Sequence, residues 1–255
     1  MAIQLSDRDT MIFRFIEEHQ VLLEKHIAWF ISCDEKPVLI RDRLRKLFYL
    51  DYLLCERHGG KLPWWTTPTK PLVYMLSPMT RQLVRAGESH FDLADTETQR
   101  HLLEVANLRM LFLMDQKESL ISDCNWMTTR KTAITDATTD SCVTFKRGGT
   151  TIKVAIINHP TIAADAIATI AADAVSTGGC DAVWIISRDD NHQRSLQKAL
   201  ANCSTASKIA FTTHQEIYKS GVVKAKWQAC SETFVSVMPD AVTWAPANAA
   251  FMPAM

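Results

Sequence analysis

The chain has 255 residues, of which 28 are lysine or arginine and 28 aspartate or glutamate, so it carries no formal net charge at pH 7. That length suffices for two compact domains and exceeds what one small module needs. Balanced charge excludes a protein that binds polyanions with its whole surface, so any nucleic-acid affinity must come from a local patch.

In chain order, Ser6-Asp7-Arg8-Asp9 precedes Met11, Ile12, Phe15 and Ile16 at helical spacing. Ser6 is placed to cap that helix, and the acids in its first turn suit the helix dipole. A second short helix over residues 24–31 carries Ile27, Phe30 and Ile31. After a turn at Ser32-Cys33-Asp34, Pro37 suits the first turn of a third helix. There Ile40, Leu44, Leu47 and Phe48 recur at the spacings that line one helical face. Asp42, Lys46 and Tyr49 then project from the opposite side, with Arg43 and Arg45 flanking them. Residues 52–57 and 72–76 read as strands. Gly59, Gly60, Pro63, Pro68 and Pro71 make the stretch between them a loop. Residues 77–86 read as a closing helix capped by Ser77, with Gly87 as its stop.

Helix, helix, basic helix, strand, loop, strand and helix is the order of a winged helix-turn-helix. A helix with leucine inside and arginine outside can enter a major groove while fixed to its own core. The residues placed to contact double-stranded DNA are Arg41, Arg43, Arg45, Lys46 and Tyr49 on the helix. Arg57, His58, Lys61 and Lys70 join them on the wing. The alternative is an ordinary helical domain with a solvated charged face. Trp64 and Trp65 either pack on the base of the wing or stack against a partner.

Beyond a polar linker at 88–98, residues 99–238 form a second domain, and the Pro/Ala-rich residues 239–255 read as a tail. A long helix starts at Gln99 and carries Leu102, Leu103, Val105, Ala106, Leu108, Leu111 and Phe112. A strand-like region follows after Trp126, then a hairpin. Its arms are 142–145 and 151–157, joined by Lys146-Arg147-Gly148-Gly149. The second arm is uniformly apolar, as in a strand buried on both faces. An Ala-rich helix over 162–175, a strand over 181–187, a helix over 191–200 and a strand over 208–212 complete a three-layer α/β pattern. The Ala-rich helix either covers the sheet or forms a dimer interface.

The seven cysteines (Cys33, Cys55, Cys124, Cys142, Cys180, Cys203 and Cys230) are scattered and never paired as Cys-x-x-Cys. This argues against a zinc site or a disulfide framework and for reduced thiols. Asp7, Arg8 and Asp9 come too early for a signal peptide, and no apolar run reaches the roughly 18 residues of a membrane span. A cytoplasmic protein without a cofactor or membrane association is expected.

Most of the chain resembles the replication-relaxation family, which includes plasmid mobilisation relaxases of the C type. The likeness rests on RDRLRKLFYLDYLLCER and LVYMLSPMTRQLV in the first domain. In the second it rests on HLLEVANLRMLFL, Trp126, and an aspartate followed by a Gly-turn hairpin and an Ala-rich helix. The resemblance implies a winged helix followed by a restriction-endonuclease-like domain. The family's nuclease chemistry needs an aspartate before the hairpin, then an acid-x-acid or acid-x-lysine pair on its second strand to hold a divalent metal. The first position matches Asp140, or Asp136 in another register. The strand positions fall on Ala155 and Ile157, and shifted registers offer only Val154, Ile156 and Asn158. The catalytic acids are thus replaced, and Asp140 is a metal ligand only if nuclease activity survives. His159 stands at a strand end, where it either joins Asp140 or Asp136 in a polar cluster or is simply solvated.

Three functions follow as expectations. The first is a noncatalytic DNA-binding regulator associated with a mobile element. As a homodimer it would set two recognition helices about 34–36 Å apart on DNA, and its second domain would serve for dimerisation or a protein partner. The alternatives are a metal-dependent relaxase or nicking nuclease in plasmid mobilisation, and a noncatalytic protein-interaction adaptor.

Overall fold

The computed structural model describes residues 5–33, 37–84, 93–129, 139–231 and 242–243. Asp136, Gly87, residues 88–92 of the linker and nearly all of the tail lie outside these residues. The chain forms two compact units, residues 1–117 and 118–255, and it mixes helices with two β-sheets.

In the first unit, α1 spans Asp7–His19 and opens on the expected cap. The Ser6 hydroxyl accepts from the Asp9 N–H, and the Asp9 carboxylate accepts from the Ser6 N–H at 2.7 Å. This capping box satisfies two of the N–H groups that a helix start leaves open. A two-residue strand, β1 (Leu22–Leu23), leads into α2 (Glu24–Ser32), which is followed by α3 (Pro37–Tyr49), β2 (Leu53–Arg57) and β3 (Leu72–Leu76). The three strands form an antiparallel sheet in the order β1-β3-β2, with Leu22 opposite Tyr74 and Leu53 opposite Leu76. Ser77 caps α4 (Pro78–Leu83) by accepting from the Thr80 N–H. Helix α5 (Thr96–Lys117) follows.

Ile12, Phe13 and Ile16 of α1, Ile27 of α2, and Ile40, Leu44 and Leu47 of α3 share one core with Leu53 and Leu76. Full burial stabilises each such side chain by about 1.5–3 kcal/mol. Two placements differ from the sequence expectation. Phe48, grouped with the inner face of α3, is 40 % exposed. It lies one residue past Leu47, and the 100° step carries it around the helix edge. The helix at 96–117, grouped with the second domain, packs with the first unit. Its Ala106 and Met110 join the α1–α3 core, and Leu102 and Leu103 pack with Val73 and Met75 of β3.

The second unit is built on a seven-stranded sheet. It begins with β4 (Ser122–Thr128), β5 (Ser141–Arg147) and β6 (Thr150–Asn158), paired antiparallel in sequence. The β5–β6 turn is Gly148-Gly149, both with positive φ of 56° and 84°. A two-residue hairpin requires that conformation, and glycine adopts it without steric cost. Helix α6 (Ala164–Ser176) carries the chain to β7 (Ala182–Ser187), and α7 (Asp190–Leu200) carries it to β8 (Ile209–Thr213). Strands β6, β7 and β8 run parallel. Next come α8 (His214–Ser220), β9 (Trp227–Ala229) and β10 (Val242–Thr243), with β9 antiparallel to β8 and β10 parallel to β9.

Both crossover helices pack on one face of the sheet. Ile167, Ile170 and Ala171 of α6, with Leu196 and Leu200 of α7, sit on Ala155, Ile157, Val183, Ile185 and Phe211. The Ala-rich helix therefore serves to cover the sheet. The opposite face is buried as well: Ile156 and Trp184 are at most 1 % exposed, and the Trp184 and Trp227 rings lie 4.4 Å apart. No helix among the described residues is long and apolar enough to cross a membrane.

Candidate nucleic-acid interface

Helix α3 divides its charged residues among three situations. Arg45 and Lys46 are exposed, as are Asp42 and Tyr49, the last at 75 %. Arg41 is exposed, but its Nε and Nη2 grip the Glu24 carboxylate of α2 at 2.9–3.1 Å. Arg43 is committed inward. Its Nε donates to Asp9 Oδ1 at 2.6 Å and its Nη2 to Oδ2 of the same carboxylate. Burial alone would raise the Asp9 pKa, but hydrogen bonds from Arg43 and from Ser6 hold it below the usual carboxylate value. Arg43 thus fastens α3 to the first turn of α1, which corrects its expected place among the DNA contacts.

The end of β2 and the loop between β2 and β3 carry three exposed cations, Arg57 on the strand and Lys61 and Lys70 on the loop. Arg57 donates to the Lys70 carbonyl at 3.1 Å, and Lys70 Nζ to the Gly59 carbonyl at 3.3 Å. Both hold the loop, and no carboxylate among the described residues matches their charge.

His58, expected on the loop surface, is fully buried and is removed from the phosphate contacts. Its Nδ1 lies 3.0 Å from Gln99 Oε1 of α5. Gln99 Nε2 donates to Glu56 Oε1 and to the Leu93 carbonyl, so Oε1 accepts and His58 carries its proton on Nδ1. Gly60 completes this junction. A Cβ there would fall 2.9 Å from Thr96 Cγ2 and 3.2 Å from His58 Nε2, so the close approach needs glycine.

Between α2, α3 and this loop lies a cavity of about 520 Å³. Its wall carries Lys25, Arg41, Arg57 and Lys70 against a single carboxylate, Glu24, with Trp65 at the side. Trp65 is half-buried and donates its indole N–H to the Thr69 carbonyl at 2.7 Å. Sequence reasoning had Arg41, Arg57 and Lys70 as surface cations and missed that they line one concavity with Lys25. Lys25 lies at the start of α2, outside the basic helix that drew attention, and the sequence held no signal for it.

In the second unit, the positions where the resemblance would place metal-holding acids do not fit a divalent metal. Ala155 and Ile157 are buried beneath α6 and offer no donor. Asp140 acts as a strand-edge cap: its Oδ2 accepts from the Asn158 N–H at 2.7 Å, and its own N–H donates to the Ile156 carbonyl at 2.8 Å. Among the described residues no group of three or more His, Cys, Asp or Glu could hold a metal ion.

His159, in the left-handed region at φ 44°, stands edge-on to His192 of α7 with ring centroids 5.3 Å apart. Asp189 caps α7 by accepting from the His192 N–H at 2.9 Å. That backbone bond, with the nearby His192 and His159, holds its carboxyl below the usual value. The structure thus joins His159 to His192, a partner that sequence reasoning did not consider. No family model, no curated protein and no solved structure matches the chain.

Proposed function

We propose that the chain binds double-stranded DNA through its first unit, built as a winged helix, and that the second unit is a noncatalytic, nuclease-like scaffold. Its role is that of a DNA-binding regulator, with the second unit available for self-association or for a protein partner. The observation that carries the reading is the division of α3. Ile40, Leu44 and Leu47 are buried, while Arg45, Lys46 and Tyr49 remain exposed. A helix fixed by its inner face and cationic on its outer face is what major-groove entry needs. The element order α1-β1-α2-α3-β2-β3, the exposed Arg57 at the end of β2 and the exposed Lys61 and Lys70 on the loop add to that support.

A mobility-shift series with salt titration tests this. Arg45→Ala is expected to cost about 1–3 kcal/mol and relax preference at one base position. Lys61→Ala and Lys70→Ala are expected to weaken binding evenly across sequences and to lower the salt slope by about 0.9 per lost phosphate contact. If Arg45, Lys46, Lys61 and Lys70 variants all bind as the parent does, the reading fails.

A further inference from the structure

We infer that the basic cavity beside α3 takes a whole nucleotide, its phosphate and its base together, rather than skimming a phosphate of stacked duplex. This rests on the DNA-binding reading and narrows its substrate to DNA presenting an unstacked or unpaired nucleotide. Four observations carry it. The cavity, about 520 Å³, lies within the roughly 300–1,000 Å³ of pockets that enclose entire small molecules. A phosphate alone would leave most of it empty.

Its charge is suited to an anion. Arg57 and Lys70 are tied only to backbone carbonyls, and the one carboxylate on the wall, Glu24, is already gripped by Arg41. Its remaining surface is suited to something flat and apolar. Trp65 lines the cavity and has donated its N–H to Thr69, so what its indole offers a ligand is aromatic ring carbon. Leu23, Ala28, Pro71 and Leu72 supply apolar lining that a phosphodiester backbone has no use for. Cations beside an aromatic face is the combination by which proteins hold single-stranded nucleic acid, stacking a base while neutralising its phosphate.

The test uses the full chain and five probes: inorganic phosphate, thymidine 5′-monophosphate, a short thymidine single strand, an intact duplex, and the same duplex with one bulged thymidine. The bulged duplex and the single strand are expected to bind about tenfold more tightly than the intact duplex. That advantage should vanish in Trp65→Ala, survive in Trp65→Phe, and shrink in Arg57→Ala. Unfolding by the Trp65→Ala change is monitored by circular dichroism, and Arg57→Ala keeps the question open to measurement if it occurs.

Tight binding of the free monophosphate, lost in Trp65→Ala, without a bulge preference would support the nucleotide pocket and assign it to a free nucleotide instead of a DNA strand. Equal competition by inorganic phosphate, or no probe distinguishing the parent from Trp65→Ala and Arg57→Ala, overturns the inference. Neither result touches the duplex reading, which fails only if the Arg45, Lys46, Lys61 and Lys70 variants all bind duplex as the parent does.

Discussion

Helix α3 of the first unit and strand β6 of the second each bury a row of aliphatic side chains, but their other side chains meet different fates. On α3, Leu44 and Leu47 are inside while Arg45, Lys46 and Tyr49 stay in solvent. On β6, every residue from Val154 to Asn158 is buried, because covered faces lie on both sides of the strand. A half-buried helix keeps a whole face free for recognition. A doubly covered strand has only its end, and at the end of β6 the available acid, Asp140, is spent on the Asn158 N–H. Chemistry in this molecule is therefore sought on helical and loop surfaces.

The sharpest way to break that contrast is charge reversal on α3. Arg45→Glu with Lys46→Glu is expected to weaken duplex binding about 100-fold at moderate salt, read by fluorescence anisotropy, without lowering the melting temperature. Asp9→Ala comes next. It strands the partly buried Arg43 guanidinium and removes the α1 capping box, so a loss of about 2 kcal/mol in denaturant unfolding is expected.

Acidification acts on the first unit through two buried histidines. Burial pushes His26 down to about 3, with Lys25 adding to the effect and Asn107 opposing it. Burial, with Arg109 and His26, holds His19 well below 6.5. Both histidines are neutral when folded and take up protons when unfolded, so stability falls as pH drops below about 6.5 and is unaffected above it. The slope is about 1.4 kcal/mol per pH unit for each histidine, and His26→Gln should flatten a plot of melting temperature against pH.

A smaller effect is expected for Asp140→Ala, about 1 kcal/mol from the lost backbone cap. Plasmid nicking in magnesium or manganese should be at background in both parent and variant. Activity in the parent that disappears in the variant would restore the nuclease reading. The smallest change belongs to Ser187→Ala. That hydroxyl is fully buried with no hydrogen-bond partner among the described residues, so a shift within about 0.5 kcal/mol is expected.

Local chemistry made much of the fold readable. Ser6 and Ser77 announced their helices, Gly148-Gly149 its hairpin, and the strand at 72–76 its limits, because caps and turns depend on a few adjacent residues. The strand β1 was missed, since two residues carry no periodicity. Helix α8 and strand β9 were also unread, being seven and three residues long. The site was legible only in part. The exposed Arg45 and Lys46 follow from helical phase alone. Arg43 and His58 were misplaced because their partners, Asp9 and Gln99, lie 34 and 41 residues away, and no local pattern reports such pairings. The cavity at Trp65 is a product of tertiary packing for the same reason.

The contact of Gly60 with Thr96 has a bearing on how variation along this chain should be interpreted. Because the backbone at 60 rests within touching distance of the first residue of α5, a bulkier side chain at position 96 would push on the loop that carries Lys61 and Lys70. Such a change sits in a well-formed helix and would pass as harmless on helix propensity. Its cost would surface instead as misdirected lysines, in a segment more than twenty residues upstream.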